Sequence, residues 1–172
     1  PMYRQSFSLI EIGTMSGLIG VWVTIAGALL GGFFVFRLGI VRSLFIALIA
    51  VIAGNLTYAL LAASGHSLTR FAVAIAVENI AAGFAGTALL AYMSSLTNKA
   101  FTATQYALFS SFYALPGKVL GGLSGILVDW FAVHRHAFES LLPVMTTLPD
   151  KVVGFVPFFI TTALTGIPAL IL

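Results

Sequence analysis

The run Tyr92-Met93-Ser94-Ser95-Leu96-Thr97-Asn98-Lys99-Ala100-Phe101-Thr102-Ala103-Thr104-Gln105-Tyr106-Ala107-Leu108-Phe109-Ser110-Ser111 decides how this chain folds. Seven Ser and Thr residues, Asn98, Gln105 and two tyrosines gather around a single base, Lys99. Apolar stretches long enough to cross a bilayer stand on either side, residues 71–93 before it and 104–130 after it. A bland connector between two spans needs a turn and a charge, and this run carries far more hydrogen-bonding groups than that.

The alternation of apolar run and short polar break continues outward in both directions. A bilayer core of about 30 Å takes roughly 20 apolar helical residues, and five segments meet that length: 12–36, 43–63, 71–93, 104–130 and 152–172. Only helices and closed barrels satisfy their backbone groups in lipid. The wealth of Gly, Ala, Leu and Phe in unbroken runs favours helices over the short alternating strands of a barrel. The expected fold is an all-α polytopic membrane protein. Its connectors are residues 37–42, 64–70, 94–103 and 131–151, the last with Pro143, Pro149 and an apolar stripe that suits a short interfacial helix.

Composition agrees. The chain is 60% hydrophobic and 8% charged, with a mean hydropathy of +1.09, which leaves too little polar surface for a water-soluble globule. The net charge of +3 comes from scattered bases with no basic face, so nucleic acid is not an expected partner. Cysteine is absent, which excludes disulfides and thiolate metal sites. His66, His134 and His136 form no metal-ligand spacing beyond a weak His-Arg-His, and no metal or cofactor is expected. Neither a nucleophile elbow nor a paired acid/base spacing occurs in or beside the spans, which speaks against an enzyme. The start at Pro1, without a basic region or cleavage site, and the stop at Leu172 inside an apolar run lead us to expect breaks in a longer protein.

The run 92–111 closely resembles the loop between the tenth and eleventh spans of the AmpG-type muropeptide permeases, within the major facilitator superfamily. A second segment, Gly31-Gly32-Phe33-Phe34-Val35-Phe36-Arg37-Leu38-Gly39-Ile40-Val41-Arg42, resembles the second-half copy of that superfamily's signature loop. Gly32, Arg37, Gly39 and Arg42 match it, and Phe36 stands where the signature has an acid. Pro1-Met2-Tyr3 is similar to the end of the seventh span. The resemblance therefore implies an incomplete C-terminal six-helix bundle whose five full spans correspond to spans eight to twelve. It implies a proton-driven importer of anhydro-muropeptides in the bacterial inner (cytoplasmic) membrane, with the lipid bilayer, a missing N-terminal half, a sugar-peptide substrate and protons as partners. Lysine and arginine counts are nearly balanced, with Arg37, Arg42 and Lys99 on one side and Arg4, Arg70, Arg135 and Lys151 on the other. The signature loop assigns the first set to the cytoplasm.

Ionisable groups within spans are costly and point to function; here they are Glu78 and Lys118. At 1.5 Å per residue both fall roughly 10 Å from the same face. Thr104, Ser111, Lys118 and Gly125 recur at heptad spacing with Asp129 one turn later, a polar stripe along one side of the span. Glu78-Asn79 matches an acid-Asn pair in the tenth span of the permeases, and Pro116-Gly117-Lys118 resembles the Pro-Lys pair of their eleventh span with one glycine inserted. In that architecture spans seven, eight, ten and eleven line the cavity and nine and twelve stand toward lipid.

Poor solvation favours a neutral carboxyl and a nearby cation favours the charged one, so Glu78 is the candidate for proton coupling, through an attraction to Lys118 that protonation would change. A permanent ion pair between spans is the alternative. Asn79, Gln105, Tyr106, Ser111 and Lys118 are candidates for the substrate cavity, since sugar hydroxyls and peptide carboxylates need donors and a cation. Thr102, Thr104 and Ser111 could equally bond helix carbonyls, and Gln105 and Tyr106 could gate. Gly27 and Gly31, and Gly117, Gly121 and Gly125, form small-residue faces that suit close packing or rocking. Pro116, Pro157 and Pro168 are expected kinks, and Trp130 with Phe131 an interfacial anchor. The competing assignments are an acetyl-coenzyme A transporter-like permease, which would want several phosphate-binding bases, and a membrane scaffold or sensor that transports nothing.

Overall fold

The first helix starts where Ser8 and Glu11 cap it reciprocally. The Glu11 backbone N–H donates to Ser8 Oγ at 3.2 Å, and the Ser8 N–H donates to Glu11 Oε2 at 2.7 Å. In this computed structural model, which describes residues 7–64, 67–97, 102–138 and 140–167, the helix α1 then continues over Leu9–Leu38. A π-helical turn, Met15–Gly20, lies within it. Gly39 ends it at φ +84°, a conformation open to glycine alone at low cost, and its N–H donates to Val35 O at 3.0 Å. Fully buried Ser43 closes the turn by donating its hydroxyl to Gly39 O at 2.9 Å.

α2 follows over Ile40–Ser64, α3 over Leu68–Leu96 and α4 over Thr102–Val133. The 131–151 connector contains a short helix α5, Arg135–Phe138, and a 3-10 turn, Pro143–Thr146. α6, Asp150–Val153, and α7, Phe155–Thr165, complete the described chain. Four helices are long and apolar enough to cross a membrane, and no strand occurs among the described residues. In the segment expected as a fifth span, the described helix is α7, and residues 168–172 lie outside the described part. So do Pro1, Met2, Tyr3, Arg4, His66, Lys99, Glu139 and Pro168. α4 runs as one helix through position 116, so the helix does not break there. Pro157 occupies the first turn of α7, where its missing N–H costs no intrahelical bond.

α3 is the centre of the bundle, with α1 on one flank, α2 on the other, and α7 against α2. The approach of α1 to α3 depends on glycine. A Cβ on Gly27 would collide with Ile80 O, one on Gly83 with Thr24 O, and one on Gly31 would lie 2.8 Å from Phe84 O. The main apolar cluster joins Tyr58 and Leu61 of α2, Phe71 and Ile75 of α3, Val128 of α4 and Phe155 of α7. Phe7 stacks on Phe71 at 4.5 Å. All of these lie toward the end where α2 passes to α3. α4 is packed there through Val128 and Phe131, its two buried side chains among those described, with Gly154 set against Val128 O. Along the middle of α4, Gly117, Gly121, Gly122 and Gly125 have open space where a Cβ would project. The glycine face of α1 is thus a packed contact, whereas that of α4 touches nothing described.

Candidate functional site

Residues 78 and 79 are adjacent on α3, and one residue is about a 100° turn of a helix, so their side chains leave toward different neighbours. The Glu78 carboxylate accepts a hydrogen bond from the hydroxyl of Tyr58 on α2. Tyr58 is buried at 7% exposure, and its ring stacks on Phe159 of α7 with centroids 5.3 Å apart and planes 21° apart. Gly54, one turn before Tyr58, keeps α2 close to this point: a Cβ there would lie 3.6 Å from Glu78 Cα. Glu78 itself remains exposed, with its carboxylate held on the α2 side.

Asn79 turns to α1. Its Nδ2 donates to Ile75 O at 2.7 Å, and its Oδ1 lies 2.8 Å from Thr24 Oγ1. The Thr24 hydroxyl is also 2.7 Å from Gly20 O, and its one hydrogen serves either acceptor at a time. Gly20 closes the π-helical turn, and a Cβ at that position would meet the Asn79 amide at 3.5 Å. π turns widen a helix locally and recur at functional positions. The polar level thus extends across three helices: Thr24 and Gly20 on α1, Tyr58 on α2, Glu78 and Asn79 on α3.

Lys118 lies elsewhere. Among the described residues it makes no ion pair with Glu78, whose partner is Tyr58, so the permanent pair considered from the sequence is not how the two helices are joined. The reason is geometric: the buried side chains of α4 described are Val128 and Phe131 in its last turns, and Lys118 is exposed about three turns earlier. Thr104, Ser111, Lys118, Gly125 and Asp129 are all exposed, so the polar stripe is an open face. Ser111 donates to Ala107 O at 2.8 Å, the backbone-bonding alternative. Gln105 and Tyr106 are half-buried near the start of α4. The structure brings Glu78 and Asn79 to one level of the bundle; among the described residues neither Lys118 nor Ser111 is hydrogen-bonded or ion-paired to them.

At the signature-like turn, Arg37 is in the last turn of α1, where a cation suits the helix dipole. Its guanidinium lies 5.6 Å from the Phe33 ring centroid. Gly32 and Thr87 Cγ2 are near neighbours, a Cβ on Gly32 lying 3.9 Å from that atom, and Arg42 is exposed. At the other end His134 stacks on Trp130 at 4.6 Å, and its Nδ1 is 2.9 Å from Trp130 O. No group of three or more His, Cys, Asp or Glu residues able to hold a metal ion occurs among the described residues.

Sequence reasoning passed over Tyr58 and Thr24. The facilitator architecture that the sequence resembles sets α2, its ninth span, toward lipid, yet α2 packs on both α3 and α7 and supplies the partner of Glu78. The available signal was the short polar cluster Asn55, Thr57 and Tyr58 just after Gly54.

No family model matches this chain, and no solved structure matches it. Curated relatives do. A protein of Rickettsia prowazekii named putative transporter AmpG 3 is 33% identical over 156 residues, which are 91% of this chain and 35% of that protein. The anhydromuropeptide permease of Escherichia coli K12 is 33% identical over 144 residues, 83% of this chain and 28% of that protein. A further relative, from Haemophilus influenzae, carries no functional name and is 37% identical over 147 residues, 81% of this chain and 35% of its own length. The chain thus spans about a third of the length of these relatives.

Proposed function

Since the chain belongs to the AmpG family of transporters, we propose that it is part of a permease carrying anhydro-muropeptides across the bacterial inner membrane into the cytoplasm, driven by protons. The observation that carries this is the alignment of most of the chain with a permease named for that substrate. The helices suit the role. Four of them can span a bilayer, and α3 carries a carboxylate and an amide within an apolar length, where such groups are costly unless used.

In this proposal Glu78 takes up and releases the coupling proton. Asn79, Gln105, Tyr106, Ser111 and Lys118 face substrate in a cavity that is completed by the remaining part of a longer, facilitator-type protein. The open polar face of α4 supports that arrangement, because a cation and hydroxyls exposed along one helix can serve a sugar-peptide only when another wall stands opposite. The chain alone is expected to transport nothing.

The test replaces the matching portion of the Escherichia coli permease with this chain, expresses the fusion in a permease-deficient strain, and follows labelled anhydro-disaccharide with and without an uncoupler. Uncoupler-sensitive uptake is expected. Uptake indifferent to the uncoupler would remove the proton, and no uptake from a membrane-inserted fusion that takes up labelled acetyl-coenzyme A would remove the substrate.

A further inference from the structure

We propose that Tyr58 is the positioning residue for the Glu78 carboxylate, an assignment that rests on the coupling role proposed above for Glu78. A carboxylate on a long, flexible glutamate side chain can point in many directions. The Tyr58 hydroxyl donates to it, and a charge-assisted bond of this kind directs the group.

Tyr58 is itself well fixed. Its ring is buried, stacked on Phe159 at 5.3 Å, and belongs to the main apolar cluster together with Leu61, Phe71 and Phe155. A donor mounted on a clamped aromatic ring has little freedom to follow the carboxylate, so the carboxylate follows the donor. The consequence is a division of labour between helices: α3 carries the proton site, α2 aims it, and α7 holds the aiming group through Phe159.

The ionisable surroundings are sparse. α1 has no ionisable side chain between Glu11 and Arg37, and α7 has none. α2 adds, besides Tyr58 itself, only Arg42 at the opposite end of the helix; α3 carries Arg70 and Tyr92; α4 carries Tyr106, Tyr113, Lys118 and Asp129. Of these, Tyr58 is the one bonded to Glu78.

The test compares Tyr58→Phe, Glu78→Gln and the double variant in the fusion described above, by the ratio of uncoupler-sensitive uptake to substrate counterflow. Glu78→Gln, which removes the proton site, is expected to abolish the uncoupler-sensitive part of the ratio, Tyr58→Phe to lower it about tenfold, the equivalent of one charge-assisted hydrogen bond, and the double variant to match Glu78→Gln, because Tyr58 acts only through that carboxylate. A full ratio in Tyr58→Phe beside a loss in Glu78→Gln, or losses that add, would overturn the Tyr58 assignment. A full ratio in Glu78→Gln overturns the coupling role itself.

A second measurement needs no transport. In the chain reconstituted in lipid, the infrared carboxyl band that vanishes in Glu78→Gln is expected to shift in wavenumber in Tyr58→Phe, which removes its hydrogen-bond donor, and, through the lost stack, in Phe159→Leu. A band unmoved in Tyr58→Phe contradicts the assignment.

Discussion

The hydroxyl of Tyr58 donates to the carboxylate of Glu78 and so joins two neighbouring helices through a polar pair. The next residue, Asn79, is tied in another direction, to Thr24 of α1. α3 is therefore pinned on two flanks by consecutive side chains, and changes to either flank should be separable by experiment.

The α1 flank should tolerate loss of its hydrogen bond better than loss of its glycines. Thr24→Val removes the hydroxyl that meets Asn79, and interhelical hydrogen bonds in membranes average about 0.6 kcal/mol. A Thr24→Val/Asn79→Leu double-mutant cycle, read by unfolding the chain in mixed micelles, is expected to give a coupling of that order. A coupling of zero would mean the two side chains do not share the bond.

Glycine substitutions should sort by what lies over them. Gly83→Ala sets a methyl against Thr24 O, and Gly27→Ala sets one against Ile80 O, both backbone atoms that cannot turn aside. Each is expected to cost about 1–3 kcal/mol, the range of overpacking. Gly54→Ala meets Glu78 Cα at an ordinary 3.6 Å and should be nearly neutral. Gly121→Ala meets nothing and should gain about 0.5–1 kcal/mol of helix propensity. Equal losses at all four positions in a thermal melt would contradict the α1–α3 crossing.

Gly39 tests backbone geometry instead of packing, since a Cβ there has open space but φ is +84°. Gly39→Ala is expected to destabilise by roughly 1–3 kcal/mol through strain alone. Arg42→Ala, an exposed position in the same region, should leave the melt unchanged.

Orientation can be read directly, because the chain has no cysteine to mask. Val41→Cys, exposed beside the turn from α1 to α2, should react with an impermeant thiol reagent only from the cytoplasmic side. Ser140→Cys, exposed beyond α5, should react only from the other. The reverse pattern would invert the assignment made from Arg37, Arg42 and Lys99.

Much of the helical organisation was legible because backbone chemistry in lipid leaves few choices. A long apolar run must be a helix, and a polar break such as residues 37–42 must be a connector. Thus Leu9–Leu38, Ile40–Ser64, Leu68–Leu96 and Thr102–Val133 follow the hydropathy pattern, each reaching a few residues beyond the apolar core it was read from. The cap at Ser8 and Glu11 adds one such turn, which apolar periodicity does not report.

The amino-acid sequence by itself determined the all-α membrane class, the polar residues Glu78, Asn79 and Lys118, and the glycines that could sit at a helix crossing. Tertiary structure decided how they are used. Glu78 is met by Tyr58 and not by Lys118, Gly27 and Gly83 are filled by backbone, and Gly121 is left open. The physical reason is that in an apolar chain nearly every helix face is greasy enough to bury. Hydropathy therefore cannot say which face meets which helix, and only the packing of backbone against glycine and ring against ring selects one arrangement.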